Sequence, residues 1–161
     1  MKHFMGATII TPTDCDIVIT REFDAPRAVL FEAWTRVEHV AHWWDPSGEF
    51  LAKCEIDLRV NGHYHWVNRG ENGDGHAFSG SYKEIIPPEK LVFTVQMFSE
   101  GTNPVATLMF EESNKKTTLT ITMSCSSSQD RDAMLQMRID EGTARTLGNL
   151  AAYLPKILAT I

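Results

Sequence analysis

Three groups of side chains in this sequence have types and spacings that could do chemistry. In the stretch HYHWV, His63 and His65 lie two apart, so a strand puts both imidazoles on one face, as half of a zinc site. His39 and His42 lie three apart in EHVAHWW, which is about one turn of a helix, with the same potential. His76, Tyr82 and Glu84 sit at even spacings in HAFSGSYKE and share a strand face, where an imidazole near a carboxyl is an acid/base pair. Arg138, Glu141 and Arg145 add polar groups at helical spacing.

Plainer readings stand beside each of these. A zinc site needs three or four converging ligands, and the sequence assures no third one near His63 and His65, so an exposed pair is the first reading there, while a half-exposed helix face is the plain reading of His39 and His42. The arginines and carboxylates can satisfy one another. No nucleophile elbow, phosphate loop or HExxH is present. No catalytic residue, cofactor or metal ligand is therefore assigned. An enzyme of the hydrolase, cyclase or dehydratase kind, using His76, Tyr82 and Glu84, is kept as the alternative.

The elements that must position these groups follow from periodicity. CDIVITREF is rich in β-branched residues and reads as a strand. DAPRAVLFEAWTRV changes to helical spacing, with Pro26 in the first turn and Asp24 or Ala25 at the cap. EHVAHWW is a second short helix, stopped at Asp45-Pro46. From Phe50 to Ser124 the pattern is strand throughout, in six runs, with Asn61-Gly62 as a hairpin turn. The last segment, from Ser128 or Asp130 to Pro155, is one long helix in which Leu135, Ile139, Gly142, Thr146, Leu150 and Tyr153 share a face. Pro155 ends or kinks it. The order β-α-α-β-β-β-β-β-β-α is an α+β layer architecture, with helices on one side of an antiparallel sheet.

Alternation along the strands selects the inner face: Tyr64 and Trp66, then Phe78, Gly80 and Tyr82, then Phe93 and Met97. This face is aromatic and carries a glycine, and the long helix carries Gly142. Glycine inside an element costs about 0.5–1 kcal/mol relative to alanine, and either close packing or room for a ligand explains it. The adjacent Trp43 and Trp44 differ by about 100° around a helix, so one packs on the sheet and the other faces an opening. The expected lining is Trp44, Tyr64, Trp66, Phe78, Tyr82, Phe93, Met97, Leu135, Ile139, Gly142 and Thr146. His76, Glu84, Arg138, Glu141 and Arg145 are expected within the cavity or at its rim.

Composition sets the outer limits. The 161 residues are 43% hydrophobic and 22% charged, values of one globular domain spanning 1–161, with 1–13 as a loose arm. The net charge of −6 and the absence of a basic run speak against a nucleic-acid surface. No apolar run approaches the roughly 20 residues of a membrane helix, and the start does not read as a signal peptide. Cys15, Cys54 and Cys125 are odd in number and far apart in sequence, so a disulfide framework is not expected and a cytoplasmic setting is.

Four stretches in order, ITREFDAPRAVLFEAWTRVEHVAHWWDPSGEF, DLRVNGHYHWV, FSGSYKEIIPPEKLVFT and EGTARTLGNLAAYL, resemble bacterial START-like proteins of the SRPBCC superfamily. Within it they are most similar to the group related to the activator of heat-shock protein 90 ATPase. The resemblance runs from about Cys15 to Leu154. It implies a helix-grip fold, a curved sheet wrapped around the C-terminal helix with a cavity between them, and it supplies no catalytic motif. Members of the family carry a glycine after the tryptophan pair, where this chain has Asp45. The chaperone-binding domain of the eukaryotic activator has no counterpart in this sequence, so the name alone is weak support for a chaperone role. The expected partner is a small hydrophobic ligand, with a homodimer through an edge strand or the outer sheet as a further expectation.

Overall fold

The computed structural model describes residues 3–45, 47, 49–70, 73–96 and 103–160. Among the described residues nine strands, β1 (His3–Met5), β2 (Thr8–Pro12), β3 (Asp16–Phe23), β4 (Lys53–Ile56), β5 (His63–Gly70), β6 (Gly73–Ile86), β7 (Lys90–Thr94), β8 (Val105–Ser113) and β9 (Lys116–Ser124), form one antiparallel sheet in the order β1-β2-β3-β9-β8-β7-β6-β5-β4. Packed on it are the helices α1 (Arg27–Thr35), α2 (Val37–Trp43), α3 (Ser128–Gln136) and α4 (Ile139–Leu158). The core lies between the inner sheet face and α1, α2 and α4, and includes Ile19, Leu108, Leu119, Trp43 and Leu150. This is the helix-grip arrangement that the resemblance implies.

The curvature has a local cause. β6 is 14 residues long. Its first half pairs with β5 (His63 opposite Ser81) and its second half with β7 (Tyr82 opposite Phe93). The handover falls at Gly80, where a Cβ would lie 1.8 Å from the Thr94 carbonyl oxygen, so the glycine there serves close backbone packing. Immediately after it the register shifts between Tyr82 and Glu84, the mark of a β-bulge, which bends a strand and turns its side chains over.

Several elements depart from the sequence-based expectation. The first dozen residues are not a loose arm throughout: Ile9 and Ile10 pair with Thr20 and Ile19, which extends the sheet beyond β3. The Asn61-Gly62 turn is wider than a two-residue hairpin. β4 ends at Ile56 and a loop follows, in which Asn61 is left-handed (φ 68°) and its amide bonds to the Tyr82 carbonyl. α1 is capped by neither Asp24 nor Ala25: Pro26 stands at the cap, and the Arg27 amide donates to Glu112 Oε1 of β8 at 2.8 Å. Ser127, not Ser128 or Asp130, caps α3 by accepting from the Asp130 amide. Pro155 does not end α4, which runs on to Leu158 because buried Leu154 and Ile157 hold the last turn on the core.

The largest departure is the break of the expected long helix at Met137–Arg138. Arg138 is left-handed (φ 60°) and becomes the cap of α4. A non-glycine residue there costs about 1–2 kcal/mol, and no glycine or proline marks the site in the sequence. Arg138→Gly is therefore expected to raise stability by about 1 kcal/mol, since the relieved strain exceeds the entropy that glycine adds to the unfolded chain. A urea midpoint at or below the parent value counts against this strain.

Candidate functional site

A cavity of about 340 Å³ lies between the inner sheet face and α4. Its deep wall comes from β3, β8 and β9: Ile19, Ala106, Leu108, Ile121 and Met123, all buried. Phe93 and Val95 continue this wall, and Trp34 of α1 joins it. The α4 side is Ile139, Gly142, Thr143 and Thr146. A Cβ on Gly142 would meet nothing within 4 Å, so this glycine opens space where Gly80 closes it. Trp44, Asn68, Ala77 and Phe78 form the β5–β6 side. His76, Gln96, Met137 and Arg138 complete the lining, and Met137 and the Arg138 side chain are 49% and 80% exposed, which marks the mouth.

The two adjacent tryptophans divide the labour. Trp43 is fully buried, donates its indole N–H to the Ala33 carbonyl at 3.0 Å and meets Trp34 edge-on at 4.8 Å. Trp44 is held by Trp66 (4.6 Å) on one side and Phe78 (5.4 Å) on another, with its remaining surface on the cavity. The walls are mostly apolar, but the indole N–H groups of Trp34 and Trp44 and Oδ1 of Asn68 are buried without a hydrogen-bond partner. Buried indole N–H groups ordinarily find one. Thr146 already donates to the Thr143 carbonyl at 2.9 Å.

The family model described as Activator of Hsp90 ATPase homolog 1-like protein matches residues 24–155. The chain belongs to this family. No curated protein matches it. Among solved structures, a protein from Nitrosomonas europaea is 21% identical with a TM-score of 0.81, over 92% of this chain and 99% of that one. A Rhodobacter sphaeroides protein is 20% identical with a TM-score of 0.82, over 91% and 97%. A Chromobacterium violaceum protein is 26% identical with a TM-score of 0.74, over 87% and 97%.

Asp45 builds the turn that carries Trp44. Its Oδ1 accepts from the Ser47 amide (2.9 Å) and hydroxyl (2.8 Å), its Oδ2 accepts from the Arg69 amide (3.1 Å), and Asn149 of α4 donates to its carbonyl (2.9 Å). The carboxylate thus ties the cavity wall to β5, while the carbonyl ties it to α4. Asp45→Gly removes the three carboxylate bonds and is expected to cost about 2–3 kcal/mol, with a blue-to-red shift of tryptophan emission as Trp44 loosens. An unchanged unfolding midpoint contradicts this role.

Of the residues the sequence proposed, Trp44, Phe78, Phe93, Ile139, Gly142 and Thr146 border the cavity, with His76 and Arg138 at the mouth. Tyr64, Trp66 and Tyr82 face inward as alternation requires, but they form an aromatic cluster with Phe93 behind Trp44, with ring centroids 4.9–6.1 Å apart. Tyr64 donates to the Thr94 carbonyl at 2.7 Å, and burial pushes both phenols far above their ordinary titration range. Leu135 belongs to α3, and the break at Arg138 takes it off the α4 face. Met97 lies outside the described residues.

The His76–Glu84 pair is not assembled. The bulge after Tyr82 pairs Glu84 with Val92 rather than beside Phe93, and its carboxylate meets Lys90 at 3.2 Å on the outer side. Glu141 pairs with Arg138 at 3.6 Å and borders, with Arg145, a separate recess on α4. His63 and His65 lie on the outer sheet face. His39 Nδ1 is 2.9 Å from the Tyr153 hydroxyl and His42 stacks on the same ring, so that pair secures α2 to α4. Among the described residues no three His, Cys, Asp or Glu side chains gather as metal ligands, and no helix is long and apolar enough to cross a membrane. Sequence reasoning missed Ile19, Trp34, Leu108, Ile121 and Met123 as lining. Alternation marks the four strand residues as inward-facing, and helical spacing does so for Trp34, but neither carries a signal for which inward residues stand over a void.

Proposed function

We propose that the protein binds a small apolar molecule in the cavity under α4, with any polar or anionic group of the ligand at the mouth beside Arg138. The observation that carries this reading is the cavity itself: apolar walls, four aromatic rings and an α4 backbone opened by Gly142. Its volume stands at the lower end of the ~300–1,000 Å³ of small-molecule pockets, which suits a compact ring system or a single short chain. The Arg138–Glu141 pair is solvent-exposed and weak, so the guanidinium is free to turn to a ligand.

The test is native against denaturing mass spectrometry of freshly purified protein. Extra mass that disappears on denaturation, and is absent from a variant with the cavity filled, supports the reading and begins to identify the ligand. A clean apoprotein mass, with no uptake of anilinonaphthalene sulfonate by the folded protein, rejects it. The family match favours a second reading, an interaction module for a chaperone ATPase. Stimulation of that ATPase by the purified protein supports it, and no stimulation at saturating protein rejects it. Self-association is proposed through the end strands of the sheet, β1 and β4, to be read from the mass in solution.

A further inference from the structure

We infer that Cys15 and Cys125 form a redox-active pair that closes to an intramolecular disulfide when the protein meets a low-molecular-weight disulfide such as oxidised glutathione. The two are far apart in the sequence and adjacent in the fold. β3 and β9 pair with Ile17 opposite Met123 and Asp16 opposite Ser124, which sets Cys15 opposite Cys125 at the next step. The ladder's hydrogen bonding continues there, because the Cys125 amide donates to the Cys15 carbonyl at 3.0 Å. Directly opposite residues in a hydrogen-bonded antiparallel pair hold their Cα atoms ~5.5 Å apart. A disulfide spans roughly 4.4–6.8 Å between Cα atoms but only ~3.5–4.5 Å between Cβ atoms, closer than the ~5.5 Å of a hydrogen-bonded pair, so closure draws the two strand ends together.

Both side chains also share a face. Ile17, Ile19, Ile121 and Met123 point inward, and Cys15 and Cys125 fall on the same alternation. Both thiols are free and half-buried. Cys125 Sγ now donates to Met134 Sδ at 3.2 Å, and this contact must open before the sulfur turns towards Cys15. Met134 is the buried residue of α3, and Arg131 of the same helix donates to the Thr13 and Asp14 carbonyls just before Cys15. The pair therefore sits under α3, the helix that leads into Met137 and Arg138 at the cavity mouth.

The exchange balances without a further reactant. The Cys15 thiolate attacks one sulfur of the external disulfide and expels one glutathione thiolate. The Cys125 thiolate then attacks the Cys15 sulfur of the mixed disulfide and expels the second. Two protein protons pass to the two leaving thiolates, and one external disulfide is reduced to two thiols. Cys125 Sγ is engaged with buried Met134 under α3, which leaves Cys15 to react first. Burial and the charges of Asp130, Asp16 and Cys15, opposed in part by Arg131, push the Cys125 thiol up, which makes closure faster at higher pH. Cys54 is on β4, remote from the pair, and burial beside Glu55 pushes its thiol up to about 11, so it serves as the internal control.

The experiment exposes the folded full chain to oxidised glutathione, alkylates the remaining thiols, and maps peptides without reduction. The expected result is a monomer lighter by two hydrogens, a Cys15–Cys125 linked peptide and an alkylated Cys54. In Cys125→Ser a stable glutathione adduct on Cys15 replaces the link, and Cys54→Ser closes at the parent rate. The inference is overturned by a glutathione adduct that persists on the parent protein, by a link through Cys54, by a covalent dimer, or by three thiols that still alkylate.

Discussion

Trp43→Ala is expected to remove about 3–5 kcal/mol of stability, the largest loss of any single substitution considered for this chain. Trp43 is among the largest fully buried side chains, so its truncation leaves an indole-sized void among Trp34, Trp44 and the α1 backbone. A second effect adds to the void. α1 ends at Thr35, so the Ala33 carbonyl has no amide one turn ahead inside the helix, and the Trp43 indole N–H supplies its partner. Removing it orphans a buried carbonyl at a further ~1 kcal/mol or more. Domains of this kind hold roughly 5–15 kcal/mol in all, so the variant sits near the edge of folding at ordinary temperature. Trp43→Phe keeps most of the bulk and loses the hydrogen bond, and is expected to fall about midway. Trp44→Ala, by contrast, enlarges an existing cavity and is expected to cost less than half as much while changing what the cavity holds. Equal losses at positions 43 and 44, read from urea unfolding, would remove the distinction between core and wall.

Much of the fold was legible because alternation and helical spacing report burial directly. β5, β7, β8 and β9 put Trp66, Phe93, Leu108 and Leu119 inside as their period of two requires. What escaped were places where a local irregularity resets that period. The bulge after Tyr82 moves Glu84 to the outer side and dissolves an apparent acid/base pair, although the residues themselves alternate without a gap. The left-handed Arg138 breaks a helix whose sequence carries apolar residues across the break in good phase. The candidate site was legible only in part for a different reason. Burial tells which side chains face the core, but a cavity is a space that α4 leaves unfilled, and it depends on the stand-off between helix and sheet. The cysteine pair shows the same limit, since sequence distance hid a neighbour relation that only strand register reveals.

That stand-off makes Gly80 and Gly142 the sharpest test of the cavity, because one chemical change has opposite meanings at each. At Gly80 a Cβ would lie 1.8 Å from the Thr94 carbonyl oxygen and 2.7 Å from its carbon, both backbone atoms that cannot swing away. Gly80→Ala must therefore pry β6 from β7 where the sheet changes partners, and it is expected to cost about 3 kcal/mol or more. Gly142 is in the first turns of α4 with ordinary helical geometry, its amide bonded to the Arg138 carbonyl at 3.0 Å, and open space beyond its Cα. Gly142→Leu gains up to about 1 kcal/mol of helix propensity and fills the cavity with an isobutyl group. Its stability is therefore expected to hold or rise while uptake of anilinonaphthalene sulfonate falls at least about tenfold, or ~1.4 kcal/mol of affinity. The dye also marks loosened states, so its binding is read beside the unfolding midpoint. A well-folded Gly142→Leu protein that binds the dye as the parent does would place binding outside this cavity. A destabilised one would mean that α4 lies closer to the sheet than the open face of Gly142 indicates.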